Sequence, residues 1–469
     1  MNTIDRLDVG VFAAILALTA AIVITILGGD HAGVPLLEYS PRDGEAITAP
    51  IRLRFGQTMD LASVRRAFTI EPPTQGEFSQ NGALITFRPT TNWQVGTRYT
   101  VTISSEAQST SGRRVAGDLS FSFVPRAPRL AFLAPAIRTA EAVQPTNIYY
   151  INPFFEGDAP YPIQLTQLSD GVEAYAPHPE GTSIAYARSA PRGTGDLYLV
   201  EVDSSAVQQL TNCAVVEARC TAPDWSPDGT RLVYERIELS AAFDPADRDV
   251  PRAWLLALRD LSTAPLFNDS NRLGGTPKWS PDGTRIAVYD RNLAAVAVYR
   301  LSDGGRDILP TLDDSGEYAF APNDARLVYP QLVMSVGRFT VELELVDLAD
   351  PSRGVRRLSG EGGAVEDRQP QWTRDGRRLA ITRRILDGTG IPSAQVYWLE
   401  AESGKVSPLL VDAEFFHGAI SFDPSGRYLA MQRFNVNAPQ PEPSVWVLDT
   451  ESGRVWQVAQ NAFLPRWLP

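Results

Sequence analysis

From Val9 to Leu27 the chain reads VGVFAAILALTAAIVITIL, nineteen residues without a charge, bounded by Asp8 and Asp30. As a helix rising about 1.5 Å per residue the run is roughly 28 Å long, close to the hydrocarbon thickness of a bilayer. The expected element is a transmembrane signal anchor over residues 9–29. Arg6 and the terminal amine precede it and the next basic residue is Arg42. That asymmetry puts residues 1–8 in the cytoplasm and the bulk of the chain on the extracytoplasmic side, periplasmic or cell-surface. A cleaved signal peptide is the alternative, although such cores usually run about 7–15 residues and no A-x-A cleavage site follows.

Past the apolar run the period becomes two. Ile51, Leu53 and Phe55 alternate with Arg52 and Arg54, and Tyr99, Val101 and Ile103 alternate with threonines. Each run makes a strand with one apolar face. Turn signals separate the runs at Ser40–Gly44, Glu71–Gly76, Asn81-Gly82 and Ser111-Gly112. Residues 34–125 therefore predict a small β-sandwich.

From residue 128 to 469 one segment recurs. It reads AYAPHPEGTSIAYAR at 174–188, APDWSPDGTRLVYER at 222–236, TPKWSPDGTRIAVYD at 276–290 and QPQWTRDGRRLAITR at 369–383, with weaker copies at 318–331 and 420–433. The aromatic slot falls at His178, Trp225, Trp279, Phe320, Trp372, Phe422 and Trp467, a spacing of 41 to 54 residues. That period suits four-stranded propeller blades. In each copy a short strand carries the aromatic, Pro-Asp-Gly turns the chain, and a second alternating strand follows. Arg129–Leu133 resembles a second strand without its first, and Pro465-Arg-Trp467 offers the missing one from the other terminus. The expected architecture is all-β. It comprises one transmembrane helix, a sandwich, and a seven-bladed β-propeller closed by strands from both ends, which leaves no exposed edge.

Two family resemblances lie in these residues. Ser40-Pro41, Phe55…Met59-Asp60…Ser63-Val64, Phe68-Thr69-Ile70…Pro72, Phe87-Arg88-Pro89…Trp93…Gly96-Thr97…Tyr99 and Phe121-Ser122-Phe123 resemble the bacterial Ig-like domain of S-layer proteins (the SbsA type). That likeness implies a spacer or adhesion module. The W-S-P-D-G-T-R-[LI]-[AV] signature resembles the WD40-like PD40 repeat of TolB-type propellers, a fold that hosts scaffolds, sensors and enzymes alike.

Composition narrows the chemistry. With 43 Lys+Arg against 55 Asp+Glu the net charge is −12, which argues against a nucleic-acid partner. There is no G-x-S-x-G, Walker A, G-x-G-x-x-G or H-E-x-x-H, so no catalytic residue, metal or cofactor is expected. Some peptidases join a propeller to a hydrolase domain; with the closing strand in the last residues given, no such domain is expected here. Cys213 and Cys220 share one polar segment and could close a short disulfide outside the cytoplasm, with two free thiols as the alternative. His178 occupies the repeat's aromatic slot and is expected to pack.

The connections between second and third strands, Ile237–Pro251, Arg384–Ser393 and Asn435–Ser444, are long and irregular. Variable loops on a rigid scaffold are where binding residues gather. The channel rim near Glu173, Arg219, Glu317, Arg368 and His417 is therefore the expected recognition surface for a protein partner. These features point to a non-enzymatic, membrane-anchored protein that displays a propeller for protein–protein contact, for example as an accessory subunit of an envelope complex. The rivals are a propeller enzyme or sensor taking a glycan or peptide at the channel mouth, and a cell-surface structural or adhesion protein.

Overall fold

The computed structural model describes residues 18–19, 33–135, 145–155, 160–239, 250–267, 272–322, 325–335 and 337–469. The span expected over residues 9–29 lies almost wholly outside them, as do residues 1–8. Among the described residues no helix is long and apolar enough to cross a membrane. Contacts divide the chain into two units, one holding residues 49–125 and the other 126–469.

The first unit is a sandwich. Leu36–Ser40, Ile51–Phe55, Leu84–Pro89 and Gly76–Asn81 lie side by side in one sheet, and Phe68–Glu71, Tyr99–Ile103 and Leu119–Phe123 form the other. Alternation decides what is inside: Ile51, Leu53 and Phe55 turn inward with Ile85, Val101, Ile103 and Phe123. Trp93 fills the space beside Tyr99 and Phe123 and donates its Nε1–H to the Ala49 carbonyl at 2.7 Å. A short helix, Leu61–Ala67, interrupts the strands. Asp60 caps it by accepting from Ala62 N at 3.0 Å. The alternation pattern did not anticipate this helix, because seven residues are too few to show a helical period.

The second unit is built from successive antiparallel sheets in chain order. The first strand of each repeat is Val172–Pro177, Ala218–Trp225, Gly275–Trp279, Ala319–Phe320, Val365–Trp372 or Phe415–Phe422, and three further strands follow each one. The strand Phe463–Leu468 pairs antiparallel with Arg129–Ala134, placing Trp467 opposite Leu130 and Phe463 opposite Leu133. Asn147–Ile151 and Ile163–Gln164 complete that sheet.

The recurring turn is held by its own side chains. Ser226 Oγ donates to Asp228 Oδ1 at 2.6 Å, Asp228 Oδ1 accepts from Thr230 N at 3.0 Å, and Ser226 Oγ accepts from Arg231 N at 2.9 Å. Ser280, Asp282, Thr284 and Arg285 repeat the pattern, and Thr373, Asp375 and Arg378 retain most of it. Gly229 and Gly283 take φ of 69° and 70°, which a side chain would resist.

The aromatic slot stitches neighbouring sheets together. Trp225 Nε1 donates to Ala176 O, Trp372 Nε1 to Ala319 O and Trp467 Nε1 to Ser421 O, at 2.9, 3.0 and 3.0 Å. Each acceptor lies on the first strand of the preceding repeat. His178 packs edge-on against Trp225, centroids 4.6 Å apart, and Arg231 lies over Trp279 at 4.8 Å. These contacts join sheets that would otherwise each leave an apolar face open.

Candidate functional site

The first strands of most successive repeats touch one another, and Val172–Pro177 also meets Phe463–Leu468. They therefore gather around a common axis. Five of them share one irregularity. Their pairing slips just before the aromatic, and the residue three positions ahead of it has positive φ: Ala222 (47°), Thr276 (46°), Gln369 (54°), Ala419 (46°) and Leu464 (50°). None is glycine, so each costs roughly 1–2 kcal/mol that the surrounding sheet must offset. A bulge re-aims the side chains that follow it.

Arg219, Glu235, Pro251, Thr276, Arg291 and Asp314 line most of a cleft of about 240 Å³ beside these bulges. Glu235 accepts the Thr276 backbone N–H, and burial raises its pKa against that bond and against Arg219 and Arg291. Arg291 Nη2 lies 3.4 Å from Asp314 Oδ2. Arg219 Nε is buried and makes no hydrogen bond. Two guanidiniums and two carboxylates thus line one hollow, the complement of a ligand that carries both charges.

Arg368 gathers three carboxylates: Asp313 at 3.3 Å, Glu317 at 3.4 Å and Glu366 at 3.2 Å. Burial opposes its charge, but Glu317, Asp313 and Glu366 outweigh that and raise its pKa. Further along the first strands, the residue immediately before the aromatic is charged in three of the repeats: Asp224, Lys278 and Arg466. Asp224 Oδ2 accepts from Trp279 N at 2.7 Å, and burial lifts its pKa to about 6 against the pull of that N–H, Lys278 and Arg466. Lys278 Nζ donates to Tyr318 O at 3.2 Å. Burial and then the Arg466 charge lower its pKa to about 8, while Asp224 and Glu317 pull it back.

Of the five residues expected at the rim, the structure joins Glu317 to Arg368 and places Arg219 in the cleft. Glu173 is exposed and accepts from Ser189 Oγ at 2.7 Å, with no described contact to the other four. His417 corrects the expectation outright. It is 0% exposed, within hydrogen-bonding reach of the Ala394 carbonyl through Nδ1 at 3.2 Å, and has no open face for a ligand. Sequence reading missed Glu235, Arg291, Asp314, Asp224, Lys278 and Arg466. Aligning the residue before each aromatic would have found the last three, since Asp224, Lys278 and Arg466 are three charges in one column of the repeat. Cys213 and Cys220 face each other with Cα atoms 6.0 Å apart, a separation a disulfide spans.

Residues 32–124 match the bacterial Ig-like domain family. The chain is 28% identical over 142 residues to an uncharacterized protein of Agrobacterium fabrum. It is 24% identical over 213 residues to the uncharacterized peptidase YuxL of Bacillus subtilis, and 24% over 197 residues to dipeptidyl-peptidase 5 of Aspergillus fumigatus. These matches cover 28%, 45% and 38% of this chain and 47%, 28% and 26% of those proteins, so the chain spans under half the length of each. Among solved structures, TolB from Acinetobacter baumannii matches 86% of this chain and 83% of its own at 13% identity, TM-score 0.43. A puromycin hydrolase complexed with PGG matches 71% of this chain and 52% of its own at 17% identity, TM-score 0.50.

The chain thus carries a bacterial Ig-like domain ahead of a run of propeller-type four-stranded sheets. The expectation of a non-enzymatic display platform, and with it the expected lack of enzymatic activity, is corrected by these relatives, two of which are named as peptidases.

Proposed function

We propose that this chain is a propeller hydrolase of the peptidase kind, whose charged cleft takes hold of a peptide. The observation that carries this reading is the pairing of Arg219 and Arg291 with Glu235 and Asp314 around one hollow. A short peptide is a zwitterion, and each of its ends finds an opposite charge there. The named activities of the relatives supply the reaction class.

The reading includes three finer parts. The repeats form seven blades, counting the sheet shared by the two ends of the second unit. Residues 9–29 anchor the chain, with residues 1–8 cytoplasmic and the Ig-like domain and propeller extracytoplasmic. Cys213 and Cys220 are joined as a disulfide in that oxidising setting.

The test is hydrolysis of unblocked di- and tripeptides by the purified chain, followed as released amine. Hydrolysis is expected, and the double variant R219Q/R291Q should raise KM about tenfold or more, as loss of charge-assisted bonds worth about 1.5–3 kcal/mol requires. The absence of both cleavage and peptide binding would remove the proposal.

A further inference from the structure

We propose that the Ig-like domain binds an extended segment of another protein, which adds as a fourth strand beside Phe68–Glu71 and sets an acidic side chain against Arg65. The inference goes beyond the peptidase reading and does not depend on it, because every group it uses lies in the first unit.

The sandwich is one strand short on one side. One sheet runs Leu36–Ser40, Ile51–Phe55, Leu84–Pro89, Gly76–Asn81, and the other runs Leu119–Phe123, Tyr99–Ile103, Phe68–Glu71, so four strands face three. Where Leu36–Ser40 meets Leu119–Phe123 the sheets are fastened together. Tyr39 stacks on Phe121 with centroids 4.3 Å apart, and Gly44 N donates to Val124 O at 2.9 Å. The opposite side is open. On Gly76–Asn81 the inward residues Gly76, Phe78 and Gln80 are only half-buried, whereas Ile85 and Phe87 on the neighbouring strand are buried. A hollow of about 620 Å³ lies on this side, and Phe68, Ile70, Pro73, Gln75, Phe78 and Phe87 are among its lining. The rings of Phe68, Phe78 and Phe87 floor it, each 5.0 or 5.1 Å from the next.

The backbone of Phe68–Glu71 has room for a partner. Ser104 N donates to Ala67 O at 3.0 Å, and bonded pairs alternate along an antiparallel ladder. Thr69 and Glu71 therefore bond to Thr102 and Thr100, while Phe68 and Ile70 turn their N–H and C=O groups to the open side. Those groups have no hydrogen-bond partner among the described residues. Gly76–Asn81 offers less, because Arg65 Nη2 donates to Phe78 O at 3.4 Å. The Arg65 guanidinium lies 5.6 Å from the Phe78 ring centroid and pairs with no carboxylate among the described residues. An extended peptide answers all three features. Its backbone pairs with Phe68 and Ile70, alternate side chains settle on the phenylalanine floor, and a carboxylate reaches Arg65.

The test uses the full chain and a blocked, fluorescent peptide of alternating valine and threonine with a glutamate at each end. Saturable binding is expected, with amide exchange at Phe68 and Ile70 slowed about tenfold or more and exchange at Thr69 unchanged. N-methylating alternate amides of the peptide separates strand pairing from apolar adhesion. One alternate set, the amides turned toward Phe68 and Ile70, should weaken binding about tenfold or more, and the other set should leave it intact. R65E should weaken binding about fivefold, and replacing the peptide's glutamates by lysines should restore it.

Equal weakening by both methylated sets, binding without protection of Phe68 and Ile70, or no binding overturns the proposal. Protection of the same amides by chitohexaose and not by the peptide also overturns it, assigning the groove to a sugar. Protection that appears only as the chain self-associates overturns it in favour of a second copy.

Discussion

His417 and Asp367 are both 0% exposed and both ionisable, and the fold treats them in opposite ways. Burial, with the Arg433 charge adding to it, lowers the His417 pKa to about 4, against the pull of the Ala394 carbonyl and Asp412. The folded chain therefore keeps this imidazole neutral where the unfolded chain, with a pKa near 6.5, protonates it. Stability contributed by the neutral ring is present above pH about 6.5 and is lost as the pH falls toward 4. The loss comes to about 3 kcal/mol at about 1.4 kcal/mol per unit. Urea midpoints taken between pH 7 and pH 4 should fall less steeply in H417Q than in the wild-type chain, and parallel curves would refute this. Asp367 instead keeps its charge partner. Arg383 donates to it through Nε at 2.7 Å and Nη2 at 2.9 Å, and reaches Glu361 at 2.7 Å. D367A leaves a buried guanidinium short of its partner and should cost about 3–5 kcal/mol. D367L/R383M, which removes both charges, should recover most of that in the same urea assay.

At the scale of the element, local chemistry was legible and register was not. The Pro-Asp-Gly turns, the aromatic slot and the alternating second strands can be read directly because each depends on residues a few positions apart. The bulges cannot, since alanine, threonine, glutamine and leucine at positive φ carry no sequence signal. A slip of one residue exchanges the faces of a strand, so alternation counted from the start of a first strand points to the wrong side by its end. Glu173 and His417, both ahead of the aromatic by five residues, were expected at the rim from loop length, which does not say which side chains turn inward, while Lys278 and Arg466 passed unnoticed. The turn offers a direct check. A Cβ on Gly229 would collide with the His178 ring as well as strain a φ of 69°, whereas Gly453, at φ 74°, has open space around it. G453A should cost about 1 kcal/mol, and G229A about 2–3 kcal/mol because steric displacement adds to the backbone term. Equal losses of thermal stability in the two variants would show that the His178 contact carries nothing.

For the molecule as a whole, the decisive contact joins residues more than three hundred positions apart. Trp467 packs with Leu130, Phe132 and Val447, Leu468 packs with Ala131 and Ile148, and the strand that carries both fills the edge beside Arg129–Ala134. Long-range pairing of this kind costs loop-closure entropy before any contact rewards it, so its strength lies in burial rather than in local propensity. W467A removes a large buried ring and its bond to Ser421 O, a loss of about 3–5 kcal/mol. Ending the chain at Asn461 removes Trp467 and Leu468 together and bares the ladder of Arg129–Ala134. The summed loss approaches the whole stability of an ordinary domain, about 5–15 kcal/mol, and the bared strand invites pairing between molecules. The truncated chain should therefore elute as aggregate, while W467A stays monomeric with a lowered Tm. A synthetic peptide of residues 461–469, supplied during refolding, should restore part of the monomer by occupying the empty edge. A truncated chain that remains monomeric with an unchanged Tm would show that the terminal strand closes nothing.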